Sequence, residues 1–284
     1  MARYASGFRQ NRIRGEGLMP TSRRGFLRGL GMAGLGLAVS PLLARLGGPA
    51  TEALAASEKK KLTRQWVRVV DLKKCDGCEG RKTGPACTEV CRSTYHPLEG
   101  QEWIKVSRVE GEGGSSYWMP FPCMHCENAP CVNVCPVGAS YHNENGLVLI
   151  DHRRCIGCRL CMAACPYQRR YFNWKEAEPP KNVFAEYSPE YPVPPIKGTV
   201  AKCVFCAHFL EIGMPTMCTG ACPRGALYFG DKERDVITNT REVLSLSKTL
   251  AENNAFRYKE ELGTEPRVYY LPGHGQESGR EARG

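Results

Sequence analysis

The sequence of 284 residues predicts a mixed α+β fold of two nested modules, with loop insertions and a C-terminal helix. Three observations carry this expectation. Sixteen cysteines fall into four groups of four that share one repeated spacing. Short alternating or β-rich patches stand beside those groups. Gly 30 and Pro 20 mark a loop-rich chain that leans on cross-links or bound metal rather than on a large core alone.

The first element is a leader, residues 1–55. Ser22-Arg23-Arg24-Gly25-Phe26-Leu27-Arg28 precedes an apolar run from Leu30 to Ala44. That run is about 15 residues long and interrupted by Ser40-Pro41, which is short for a spanning helix. Ala53-Leu54-Ala55 forms an A-x-A pattern, with cleavage expected after Ala55. Arg23, Arg24, Phe26 and Leu27 resemble a twin-arginine signal, read by the translocase for folded proteins, more than an ordinary secretory signal or an amphipathic arm. The expected location is the periplasm or the outer face of the cytoplasmic membrane. Met19 competes with Met1 as the start. No other run approaches 18 apolar residues, so no membrane span is expected after signal removal.

The net charge is +10, which invites a nucleic-acid reading. The leader holds eight arginines and two acids, so +6 belongs to it, and the remaining 31 basic and 27 acidic residues leave +4. Anionic metal clusters would cancel that remainder. No nucleic-acid partner is expected.

The four quartets are Cys75, Cys78, Cys87, Cys91; then Cys123, Cys126, Cys131, Cys135; then Cys155, Cys158, Cys161, Cys165; and Cys203, Cys206, Cys218, Cys222. Each opens C-x2-C and closes C-x3-C, and the middle gap is eight, four, two and eleven residues. C-x2-C lets one tight loop offer two sulfurs to one centre, with backbone N–H groups near the sulfurs. Gly77 and Gly157 suit that close approach. C-x3-C sets two cysteines one helical turn apart, so a helix between two centres can give one sulfur to each. Pro136, Pro166 and Pro223 then turn the chain. The third quartet matches the bacterial ferredoxin run, whose fourth cysteine ligates the other [4Fe–4S] cluster of a pair. A structural zinc protein would not need C-x3-C-P. A disulfide scaffold would not repeat one ligand pattern four times.

Quartets two and three are separated by only 19 residues, in which Ser140–His142 and Leu147–Ile150 flank a turn at Asn143–Gly146. This reads as an inner two-cluster ferredoxin module, 120–172. Quartets one and four are left to pair as an outer module, 64–100 plus 200–232, with strands in "WVRVVDLKKC" and "GALYFGD". Exchange of the fourth ligand gives four [4Fe–4S] sites. Cys75, Cys78, Cys87 and Cys222 form the first; Cys203, Cys206, Cys218 and Cys91 the second. Cys123, Cys126, Cys131 and Cys165 form the third; Cys155, Cys158, Cys161 and Cys135 the fourth.

On these motifs, residues 64–272 resemble the four-cluster electron-transfer subunits of complex iron–sulfur molybdoenzymes, such as dimethyl sulfoxide, polysulfide and tetrathionate reductases. The "ELGTEPRVYYLP" segment belongs to the resemblance. The resemblance implies the same nested pairing. It also implies a molybdopterin catalytic subunit and an integral-membrane quinone-reactive subunit as partners, in anaerobic respiration. A hydrogenase-linked or other respiratory relay without molybdenum is the alternative. The subunit would carry electrons and have no catalytic residues of its own. One departure is the eight-residue gap in quartet one, "EGRKTGPA", where many relatives have two residues.

The remaining segments are less informative. Residues 101–122 interrupt the modules. The insert 173–199 is aromatic- and Pro-rich and reads either as a self-packing loop or as a docking surface. Residues 233–272 hold a tail segment and a packing helix over 240–253, with Val243, Leu246 and Leu250 at helical spacing. Residues 273–284 are expected to be disordered. Lys73, Lys74, Arg153, Arg154 and Arg159 stand beside cluster ligands, either as solvated charges or as potential-raising ones. His125 reads as a spacer without a proton role.

Overall fold

A computed structural model describes residues 63–110, 114–177 and 192–273, all within the compact unit Leu62–Gly284. The leader, with Arg23, Arg24, Phe26, Leu27 and the Ala55 cleavage point, lies outside the described residues, as do most of the 173–199 insert and the tail beyond 273. The fold is mixed α/β with few helices, mostly of one turn.

Strand β1, Trp66–Asp71, is the hub. It pairs antiparallel with β8, Leu227–Asp231, and parallel with β12, Val268–Leu271. With β9 (Val236–Thr238), β10 (Val243–Ser245) and β11 (Phe256–Arg257) they form one sheet in the order β10-β9-β8-β1-β12-β11. Period-two alternation gives β1 two different faces. Val67 and Val69 join Tyr228, Ile237, Leu246, Tyr269 and Leu271 on one side. Trp66 and Val70 join the large core that contains the cysteines on the other. Arg68 shares the parity of Trp66 and Val70, so its charge is carried into the cysteine-bearing core.

The C-terminal region differs from the packing helix expected over 240–253. Val243 lies in β10 and is 69% exposed, and the helix α6 spans Leu246–Glu252. The start is set by Ser245, whose hydroxyl accepts from Lys248 N at 3.3 Å, and by Asp235, which accepts from Ser247 N at 2.6 Å. Leu246 is buried and Leu250 half-buried against the sheet. The tail segment is no appendage, because β12 lies beside β1. Gly273, placed by sequence in the disordered tail, is buried against Leu72 and Tyr117.

Strands β2 (Ile104–Glu110) and β3 (Ser116–Pro122) pair antiparallel as a two-stranded sheet. The turn signal at Asn143–Gly146 joins β4, Ser140–His142, to β5, Val148–Ile150. Another two-stranded pair, β6 (Tyr171–Phe172) with β7 (Val200–Ala201), closes the insert. Residues 264–267 cross the second quartet: Glu127 N donates to Glu265 O, Asn128 N to Thr264 O and Arg267 N to Met124 O.

Candidate metal centres

The C-x3-C segments fold in two ways, and the following residue decides which. In quartet one, Arg92 follows the last cysteine, and helix α1 runs Ala86–Tyr95 with both Cys87 and Cys91 inside it. In the other three quartets a proline follows, and each helix is a single turn: α2 Pro130–Asn133, α3 Leu160–Ala163 and α5 Met217–Gly220. Cys131, Cys161 and Cys218 sit on those turns, and Cys135, Cys165 and Cys222 lie just past them. Quartet four has room in its long middle gap for a further short helix, α4 Ala207–Glu211, which starts directly after Cys206. The C-x2-C loops of quartets one and three use left-handed backbone at Gly77 (φ +62°) and Gly157 (φ +70°). A Cβ on Gly77 would enter the Trp118 ring, and one on Gly157 would strike Gly198 O.

Four cavities of about 310–330 Å³, mouths included, are each lined by four cysteines. One is lined by Cys75, Cys78, Cys87 and Cys222. A second holds Cys91, Cys203, Cys206 and Cys218. A third holds Cys123, Cys126, Cys131 and Cys165. The fourth holds Cys135, Cys155, Cys158 and Cys161. All sixteen cysteines face one of these spaces. Each cavity draws three thiols from one quartet and its fourth from another. Among the described residues, no group of three or more His, Cys, Asp or Glu is arranged around a single metal ion. The thiols surround a space instead of converging on a point.

The walls supply N–H donors. Ser140 N lies 3.5 Å from Cys135 Sγ, Phe205 N 3.4 Å from Cys203 Sγ, Met217 N 3.5 Å from Cys206 Sγ and Ala226 N 3.3 Å from Cys222 Sγ. They also supply buried cations. Arg68 is 1% exposed and its Nη1 donates to Cys218 Sγ at 3.1 Å, with the guanidinium 4.7 Å from the Phe205 ring centre. Arg170 is 4% exposed and its Nη2 donates to Cys131 Sγ at 2.9 Å. Lys202, also buried, donates to Cys203 O at 2.8 Å. Arg68 Nε and Nη2 and Arg170 Nε are buried with no hydrogen-bond partner. A buried guanidinium costs several kcal/mol unless an anion answers it. Here the answering groups are sulfurs.

Burial pushes the Cys75 thiol up to about 11 and those of Cys126 and Cys206 up to about 12. Such sulfurs release their protons to a metal that takes their place. Cys135 goes the other way: burial opposes its ionisation, but N–H groups of Ser140, Val137 and Ala139 hold its thiol below the usual range. His125 is 1% exposed; burial, then Lys202 and Arg68, hold its ring neutral, and its Nδ1 accepts from Val148 N at 3.2 Å. Rings of four thiols lined by N–H donors and buried cations fit anionic iron–sulfur clusters.

Of the charges read from sequence as cluster neighbours, Arg159 lines the fourth cavity, while Lys74, Arg153 and Arg154 have other partners. Lys74 bonds Tyr228 and Glu242, Arg153 and Arg154 reach Asp151, and Arg159 stacks over Phe172 and Trp174. The cations that meet sulfur, Arg68 and Arg170, went unread in the sequence. The alternation in "WVRVVD" is the one signal that could have placed Arg68 on the core side.

Residues 115–184 match the family model of the 4Fe-4S dicluster domain, which spans quartets two and three. The chain is 38% identical to a selenate reductase subunit of Mesobacillus selenatarsenatis, over 88% of this chain and 97% of that one. It is 30% identical to a tetrathionate reductase subunit of Salmonella typhimurium, over 89% of each. It is 35% identical to the iron–sulfur cluster-binding subunit of menaquinone reductase of Nitratidesulfovibrio vulgaris, over 76% of this chain and 91% of that one.

Proposed function

The chain belongs to the iron–sulfur electron-transfer subunits of the complex iron–sulfur molybdoenzyme family. On that premise we propose that it relays single electrons between a membrane quinone-reactive subunit and a molybdopterin catalytic subunit of a respiratory reductase. Four [4Fe–4S] clusters, when bound, supply the one-electron couples. Cys75, Cys78, Cys87 and Cys222 hold the first. Cys91, Cys203, Cys206 and Cys218 hold the second. Cys123, Cys126, Cys131 and Cys165 hold the third, and Cys135, Cys155, Cys158 and Cys161 the fourth. The modules are nested, residues 120–172 inside the pair made by quartets one and four.

The observation that carries this reading is the crossed partition of all sixteen cysteines among four cavities. Neighbouring cavities adjoin. Cys87 feels the charge of Cys218, and Cys203 that of Cys123. Arg170 bonds Cys131 and, through Ser140, reaches Cys135. The sites therefore form a row from first to fourth. Half-buried Cys75 and Cys78 open one end to the surface and exposed Cys158 opens the other. Electrons enter and leave through these ends, at the partner subunits. No helix among the described residues is long and apolar enough to cross a membrane.

The leader supplies the address. Clusters are inserted in the reducing cytoplasm and need folded protein around them, so a route for folded cargo suits this chain. Arg23→Lys with Arg24→Lys should leave loaded protein inside the cell; continued export with clusters would overturn the twin-arginine assignment.

Anaerobic purification of the native complex tests the main reading. A brown protein with about 16 iron atoms per chain is expected, and mass spectrometry should identify a molybdopterin subunit and a membrane subunit with it. A colourless zinc protein would refute the relay; brown protein with a hydrogenase partner would refute the molybdenum side.

A further inference from the structure

Arg170 follows the fourth cysteine of quartet three by five positions and precedes β6. Its guanidinium is aimed inward. Nη2 donates to Cys131 Sγ at 2.9 Å, in the third cavity. The charge of the same group also acts on Cys161, in the fourth. Nη1 donates to Ser140 Oγ at 2.7 Å, and Ser140 N in turn lies 3.5 Å from Cys135 Sγ, also of the fourth cavity. Nε is buried with no partner. One planar fork therefore touches the sulfurs of two sites, directly and through Ser140.

Arg68 provides a contrast. It too is buried and bonded to a cysteine sulfur, but the thiols around it, Cys218, Cys203 and Cys206, all face the second cavity.

A hydrogen bond from a cation to a ligand sulfur favours the more negative, reduced state of that site and raises its potential. A flexible ammonium can do this at one point. Arg does it at several, because its donors are fixed in one plane.

We propose that Arg170 is a positioning residue shared by the third and fourth cluster sites, bonding Cys131 of one and, through Ser140, bracing Cys135 of the other, so that it raises both reduction potentials together. The proposal rests on the cluster assignment above. Arg170 thereby keeps two consecutive steps of the relay level with each other, while Arg68 acts on the second site alone.

The test is a redox titration followed by electron paramagnetic resonance on the full chain, as wild type, Arg170→Met and Arg170→Lys, with iron and acid-labile sulfide measured in each. Arg170→Met should keep its iron and lower two of the four midpoints. At each, the reduced-to-oxidised ratio at fixed potential should fall about tenfold, which is about 59 mV for one electron. Arg170→Lys should lower one midpoint and spare the other. Four unmoved midpoints in a loaded Arg170→Met protein would overturn the proposal, as would movement of one alone. Should Arg170→Met lose its clusters, Arg170→Gln, which keeps a planar donor without the charge, decides: two lowered midpoints support the shared role, and one or none lowered overturns it. Wild type without clusters would instead overturn the relay reading.

Discussion

The indole of Trp118 lies over Gly77, in the space that a Cβ on that glycine would need, and its Nε1 donates to Glu79 at 2.8 Å. The sheet of β2 and β3 thus covers the C-x2-C loop of the first quartet. Gly77→Ala should cost roughly 1–2 kcal/mol from left-handed backbone alone, with further loss from displacing Trp118. For a domain of this size the expected fall in Tm is roughly 2–8 °C. Calorimetry checks it; an unchanged Tm would mean that the loop relaxes freely.

The crossed cysteine partition makes a prediction that a simple quartet-per-site scheme does not. Cys135→Ser should disturb the same resonance signal as Cys158→Ser, and Cys165→Ser the same signal as Cys126→Ser. If Cys135→Ser instead matched Cys126→Ser, the fourth ligands would not be exchanged.

Tyr270 is fully buried on β12 and donates to Pro120 O at 2.9 Å, tying the C-terminal strand to β3. Tyr270→Phe strands a buried carbonyl and should destabilise by about 1–3 kcal/mol. Chemical denaturation with an unchanged slope and a lower midpoint is the expected readout.

Glu242 accepts from Tyr228 OH at 2.5 Å and from Lys74 Nζ at 2.9 Å, and these two bonds hold its carboxyl below the usual glutamate range of 4.5. A depressed folded value means that the carboxylate stabilises the fold above the unfolded value and stops doing so as pH falls through the folded one. Glu242→Gln should therefore lower Tm at pH 7, and the gap to wild type should narrow below about pH 4.5. A gap that stays constant down to pH 3 would assign the loss to packing.

The cysteines were legible because ligand chemistry fixes local spacing, and local spacing is what a sequence displays. The hairpin about Asn143–Gly146 and the strands of "WVRVVD" and "GALYFGD" were legible for the same reason. Arg170 was not, since nothing local in "YQRRYF" shows that the chain folds the guanidinium back to Cys131, 39 positions earlier. Nor was β12, whose partner β1 lies about 200 residues upstream. Val243 fitted a helical stripe by spacing, but the cap at Ser245 outweighed it.

The parallel pairing of β1 with β12 sets an order of events during synthesis. Strand β1 leaves the ribosome early, yet its neighbour is complete only at Leu271. At 5–20 residues per second, that wait is on the order of 10–40 s. The β4–β5 hairpin, by contrast, is complete by Ile150. The centre of the chain can therefore mature while the C-terminal end is still being made, and the N-terminal hub strand is the last piece of the sheet to be enclosed. A chain truncated before Val268 leaves that hub with a bare edge, which makes it a substrate for quality control instead of a smaller working relay.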